Sequence, residues 1–173
     1  EILYDLGNEV SGYDDNQNHA YTEDNLIKRN IKIYYNQNHD LAKDTIVTYS
    51  KAFKDTHPEL IKLRALGLPF IEYNQLLGIL TSLFETTCVA GTHGKTTTSL
   101  LISNILKETI GCNYFVGDGS GFASKDNHLF VIESCEYKKN FLAYHPANTI
   151  ITNIELEHVE CYDGIADIRN TFA

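Results

Sequence analysis

Residues Ala90-Gly91-Thr92-His93-Gly94-Lys95-Thr96-Thr97-Thr98 combine the residue types of a phosphate cradle. An apolar run, Thr87-Cys88-Val89-Ala90, leads into them, and a helical pattern, Ser99–Leu106, follows. In a strand–turn–helix of this kind, backbone N–H groups and the helix N-terminus favour an anion. Lys95 supplies a full positive charge, and the Thr96 hydroxyl can reach a magnesium ion. The full Walker pattern leaves four residues between its first glycine and the Gly-Lys pair, which would require glycine at 89. Val89 stands there and the glycine is Gly91, so the loop is shortened to Gly-Thr-His-Gly-Lys-Thr. Ordinary kinases and GTPases do not usually carry a histidine such as His93 inside this loop. The chemistry on offer is the handling of a nucleoside triphosphate.

Two further groups could join that chemistry. Glu133 ends the apolar run His128–Ile132, and parallel α/β folds gather ligands at the carboxyl ends of their strands. A carboxylate there suits magnesium, which takes oxygen ligands and bridges phosphates; a solvated strand-end acid is the plainer alternative. Asn153-Ile154-Glu155-Leu156-Glu157-His158 follows another apolar run, Thr149–Thr152. His158 is a candidate metal ligand or phosphate contact, against the alternative of a solvated loop histidine. A zinc site built on His158 and Cys161 lacks further ligands.

These groups need elements to hold them. The chain opens in a helix remnant ending at Gly7, and Val10-Ser11-Gly12-Tyr13-Asp14 reads as a strand end whose acid could meet a ribose hydroxyl. A helix is expected near 22–30 with Thr22 as its cap, strands at Ile31–Tyr34 and Thr45–Tyr49, and a helix over His57–Leu66 with Pro58 in its first turn. Phe70–Tyr73 and Gln75–Phe84 make a further strand–helix step. Asn113–Val116 is expected as a strand and Gly117–Gly121 as a loop. The alternation of strands and helices predicts an α/β protein with parallel sheets in two parts, residues 1–85 and 86–173.

Composition agrees with a globular chain: of 173 residues, 43% are hydrophobic and 21% charged. A net charge of −9 with no basic stripe argues against a nucleic-acid partner. No apolar run reaches the roughly 18 residues of a membrane-spanning helix. Cys88, Cys112, Cys135 and Cys161 form no Cys-x-x-Cys pair, which favours free thiols in a reducing cytoplasm. There is no methionine, even at position 1, which suggests a piece of a longer chain or a sequence from which some residues have been lost.

Gly91–Thr98, Glu133-Ser134-Cys135-Glu136-Tyr137 and Thr152–His158, in that order, resemble the Mur ligases of peptidoglycan synthesis. His93 points to the branch of that family that adds the first amino acid, and a tripeptide-recycling branch shares the loop histidine. Val10–Asp14 and Thr48-Tyr49-Ser50-Lys51-Ala52-Phe53 are similar to the family's nucleotide-sugar domain. The resemblance implies a Rossmann-like N-terminal domain (1–85) that binds a UDP-sugar, lacking its first strand and Gly-rich turn. A P-loop central domain (86–173) that binds ATP would follow, cut short at Ala173, so that the chain alone would be inactive. It implies ligation of L-alanine to the lactyl carboxylate of UDP-N-acetylmuramate through an acyl phosphate, with ATP and Mg2+ required. Carried over residue by residue, Gly91, Thr92, His93, Gly94, Lys95, Thr96, Thr97 and Asn153 would contact ATP. Lys95 and His93 would be catalytic; Thr96, Glu133 and His158 would hold metal; Ser11, Asp14, Ser50 and His93 would face the substrate. Ser134-Cys135-Glu136 replaces the Ala-Asp-Glu of many relatives, which removes an acid at 135. A folylpolyglutamate-synthetase type of enzyme and a non-catalytic UDP-sugar-binding module are the competing readings. Asp14 and the Rossmann-like first half favour a nucleotide sugar over the former; intact Lys95, Thr96, Glu133 and His158 argue against the latter.

Overall fold

The computed structural model describes residues 1–17, 23–36, 41–50 and 53–173. The expected cap Thr22 and the pair Lys51-Ala52 lie outside the described residues. Two short parallel ladders occupy the first half. Strand β1 (Ser11–Tyr13) pairs with β2 (Lys32–Tyr34), and β3 (Val47–Tyr49) pairs with β4 (Phe70–Glu72). Helices α1 (Ile2–Asp5), α2 (Glu23–Lys28), α3 (Pro58–Ala65) and α4 (Tyr73–Leu83) accompany them. Pro58 opens α3 where its missing N–H costs nothing, and the His57 ring caps the helix by accepting the Glu59 N–H at 3.2 Å. At the start of α4 the Gln75 side chain takes the Glu72 N–H at 3.1 Å, and the Glu72 side chain completes a capping box on the Gln75 N–H.

The second half is a five-stranded sheet in the order β7-β6-β8-β5-β9. Its strands are β5 (Glu85–Ala90), β6 (Asn113–Phe115), β7 (Gly121–Phe122), β8 (Leu129–Glu133) and β9 (Asn148–Ile151). All pairings are parallel except β6 with β7. The central pair β5 and β8 is apolar on both faces because it is covered on both: Val89, Phe130, Val131 and Ile132 are fully buried. On one face Cys88, Phe130 and Ile132 pack with Leu77 and Leu80 of α4 and with Ile2 of α1. On the other, Val89 and Val131 pack with Ile102 and Leu106 of α5 (Lys95–Thr109). The core of the sheet is therefore built partly from segments that precede residue 85.

The α/β architecture with parallel strands is as expected, and four local features differ. Helix α5 begins at Lys95 rather than Ser99. The β-branched run Thr96-Thr97-Thr98 is a poor helix former, but buried Ser99 and Ser103 let the helix sit closely on the sheet, and that packing prevails. Strand β7 holds only two residues, too few for a pattern. A 3-10 turn (Tyr137–Ala143) and helix α6 (Ile165–Phe172) went unread; Ile165, Ile168 and Phe172 do carry a helical spacing.

Candidate functional site

The loop between β5 and α5 is shaped by two glycines with positive φ. Gly91 sits at +131° and Gly94, the residue before α5, at +81°, conformations that L side chains rarely adopt. A Cβ on Gly91 would also collide with the Thr152 hydroxyl and lie 2.8 Å from the Asn153 carbonyl oxygen. The loop is thereby pressed against the segment after β9. The Thr92 N–H donates to the Asn153 carbonyl at 3.0 Å, and the buried Thr92 hydroxyl accepts the Glu155 N–H at 2.9 Å. The Asn153 amide brackets His93: its Oδ1 accepts the His93 N–H at 3.0 Å and its Nδ2 donates to the His93 carbonyl at 3.0 Å. Asn153 and Thr92 thus act on the loop backbone. The His93 ring points outward, with its side chain 64% exposed and Nε2 3.9 Å from Glu155 Oε2.

Lys95, Thr96 and Thr97 fill the first turn of α5. Lys95 Nζ donates to the Gly91 and Thr92 carbonyls and pairs with Glu136, at 3.2 Å from Oε1 and 3.1 Å from Oε2. Glu136 is 4% exposed, and its Oε2 lacks a well-aligned hydrogen bond. The Thr96 hydroxyl donates to Glu133 Oε2 at 3.0 Å, and the same oxygen accepts the Gly117 N–H at 2.8 Å. His158 adopts a left-handed backbone (φ +54°), packs its ring at a tilt of 59° against Tyr137 and brings Nε2 to 3.6 Å from Glu136 Oε1. Glu136, Glu157 and His158 offer ligand atoms within 4.8 Å of one another. Thr96 and Glu133 converge on one another, and His158 gathers separately with two acids, Glu136 and Glu157.

The donor set suits the implied groups. Thr96, Glu133 and Glu136 present oxygens, the preference of magnesium, next to the one lysine of the loop. The glycine cradle and the start of α5 present N–H groups where a polyphosphate would lie. Cys135, between the two acids, is exposed, and burial of its surroundings pushes its thiol pKa up, so it is not a poised thiolate.

Ser11, Asp14 and Ser50 lie at the two parallel ladders instead. Ser11 opens β1, and Asp14 just past it uses Oδ1 to accept the Asn16 N–H at 2.8 Å. Ser50 follows β3, and its carbonyl accepts the Phe53 N–H. Beside them is a cleft of about 450 Å3 lined by Asp15, Phe53, Lys54, Thr56, His57 and Pro58. Asp15 accepts from Tyr13 at 2.7 Å and pairs with His57 Nε2 at 2.8 Å. Because His57 Nδ1 already accepts the Glu59 N–H, the ring proton sits on Nε2 and points to Asp15. The Tyr13 hydroxyl first, and His57 second, hold the Asp15 carboxyl below the usual aspartate value. Sequence reasoning missed the Asp15–His57 pair because its members are 42 residues apart. It also missed the convergence of Glu136 and Glu157 on His158.

Fold and loop together define an α/β protein of the P-loop type. The profile described as "Mur ligase family, catalytic domain" matches residues 1–85. The chain is similar to the UDP-N-acetylmuramate–L-alanine ligase of Lactiplantibacillus plantarum (37% identity over 171 residues) and to that of Pediococcus pentosaceus (39% over 171 residues). Each alignment covers 99% of the chain and 39% of the relative, so the chain spans about two fifths of their length. Among solved structures it is similar to UDP-N-acetylmuramate–alanine ligase from Thermotoga maritima (TM-score 0.82, 26% identity), covering 99% of the chain and 42% of that protein. It shares the fold of a UDP-N-acetylmuramate:L-alanyl-gamma-D-glutamyl-meso-diaminopimelate ligase from Neisseria (TM-score 0.79, 23% identity), covering 99% and 60% respectively. Over residues 1–85 the chain matches the Mur ligase profile, and over nearly all of its length it is similar to Mur ligases.

Proposed function

We propose that this chain is the part of a Mur ligase that grips ATP and the sugar nucleotide, in an enzyme joining L-alanine to UDP-N-acetylmuramate. The observation that carries this reading is the meeting of Lys95, Thr96, Glu133 and Glu136 at one end of the sheet, under a loop pinned by Asn153. The similarity to relatives named UDP-N-acetylmuramate–L-alanine ligase supports the substrate pair. Residues 1–85 would serve the sugar nucleotide, through Ser11, Asp14 and Ser50 beside the Asp15–His57 cleft. Residues 86–173 would serve ATP.

In the reaction, the lactyl carboxylate takes the γ-phosphoryl group of ATP, giving an acyl phosphate and ADP. The amine of L-alanine then attacks the acyl carbon and phosphate leaves. Phosphoryl transfer is mainly positioning and charge stabilisation. Lys95 and the loop N–H groups hold the β/γ-phosphates, and exposed His93 faces the incoming carboxylate. Thr96 and Glu133 would hold one magnesium ion and His158 with Glu136 or Glu157 a second; bound there, the metal neutralises phosphate charge. Free cysteines and the absence, among the described residues, of a helix able to cross a membrane fit a cytoplasmic setting.

In the full-length enzyme, Lys95→Ala should abolish ATP-dependent ligation and leave UDP-N-acetylmuramate binding, followed by calorimetry, within about twofold of wild type, since uniform substrate binding lies elsewhere. Wild-type turnover by that variant would rule out the phosphate-loop assignment.

A further inference from the structure

We infer that Gly117 is a positioning residue for Glu133: the missing side chain at 117 makes the space in which the strand-end carboxylate is aimed at Thr96. The inference rests on the metal-binding reading of Glu133 given above.

Strand β6 runs parallel to β8 with Phe115 opposite Ile132, so the chain leaving β6 passes directly beside Glu133. The Gly117 N–H donates to Glu133 Oε2 at 2.8 Å, and the Thr96 hydroxyl reaches the same oxygen at 3.0 Å. A Cβ at 117 would lie 2.7 Å from Oε1 and 2.8 Å from both Cδ and Oε2, inside the 3.0 Å that real Cβ atoms essentially never breach. Backbone conformation does not demand glycine here, because Gly117 is not among the glycines with positive φ. Its neighbour Gly119, at +87°, is the one the turn requires. The carboxylate alone asks for glycine at 117.

The atoms that such a Cβ meets are the far end of a flexible side chain. A methyl group at 117 would therefore displace the carboxylate and leave the strand in place. The substitution harms the site before it harms the fold.

The test uses full-length enzyme and ATP as the probe, titrated with magnesium and again with a chelator present. Gly117→Ala should weaken magnesium-dependent ATP binding by about 10-fold or more, as loss of outer-shell support for a ligand does. ATP affinity in chelator should be unchanged. Placed on Glu133→Ala, where no carboxylate is left to displace, Gly117→Ala should cause no further loss, and the double variant should melt with Glu133→Ala alone. Wild-type magnesium dependence in Gly117→Ala would overturn the inference. So would an equal added loss of affinity, or of melting temperature, in the Glu133→Ala background, and this arm decides the matter even if the single variant folds poorly. If Glu133→Ala itself left magnesium dependence untouched, the metal reading of Glu133 would fail, a result distinct from failure of the role of Gly117.

Discussion

Lys95 has two duties that a simple knockout would confuse. Its ammonium is the counter-charge of Glu136, and the two side chains are only 14% and 5% exposed. Removing one partner of a buried pair strands the other, at a cost of about 3 kcal/mol. Lys95→Ala should therefore lower unfolding free energy by about that amount. Lys95→Ala with Glu136→Gln should recover most of it, measured by urea unfolding, and recover no ligation. Equal stability of the single and double variants would show that the pair contributes nothing. At this scale the cradle was legible from the sequence, because Gly91–Thr98 is a local pattern whose spacing sets its chemistry. The partner of Lys95 was not: Glu136 lies 41 residues away, and nothing local tells it from Cys135 or Glu133 as the acid turned inward.

Elements bring those residues together through contacts that secondary-structure patterns do not show. Helix α1 has four residues and no stability of its own, yet Ile2 enters the core beside Leu77, Phe130 and Ile132. Asp5 fixes it there. The carboxylate accepts a fork from Arg29, at 2.8 Å from Nε and 3.0 Å from Nη2, and also the Ala123 N–H at 3.3 Å. Glu1 adds a contact to the same guanidinium at 3.1 Å. Arg29→Ala should cost about 2 kcal/mol in unfolding free energy, in the range of charge-assisted hydrogen bonds. Arg29→Lys should regain less than half, because lysine cannot reproduce the fork. A thermally neutral Arg29→Ala would contradict this role. The apolar runs forecast β8 and the end of β5 well, since strands buried on both faces must be apolar there; β9, at the sheet edge and mostly exposed, was read from its β-branched run Thr149-Ile150-Ile151. The start of α5 was misplaced because packing of Ser99 and Ser103 outweighed the poor propensity of three threonines.

For the whole molecule, an acidic chain of net charge −9 has its pH limits set by how its carboxyls are held. Asp15 is kept below the usual aspartate value by the Tyr13 hydroxyl and His57. Asp118 is lowered by the Ser120 hydroxyl and N–H, and Asp167 by the Asp163 N–H and Lys139. A carboxyl that is more acidic folded than unfolded favours the native state above its unfolded pKa, and that contribution is lost as pH falls through the folded value. The melting temperature should therefore stay nearly level from about pH 7 to about pH 5 and fall below about pH 4. A decline already complete at about pH 5 would point to other groups. The proposed function concerns the assembled enzyme, in which this chain would supply the ATP and sugar-nucleotide grip. Its most direct test is phosphate release by the full-length protein with ATP, magnesium and UDP-N-acetylmuramate, adding L-alanine or the tripeptide in turn. Release should depend on both the sugar nucleotide and L-alanine and be lost in Lys95→Ala; release with the tripeptide alone, or none with either acceptor, would contradict the proposed function.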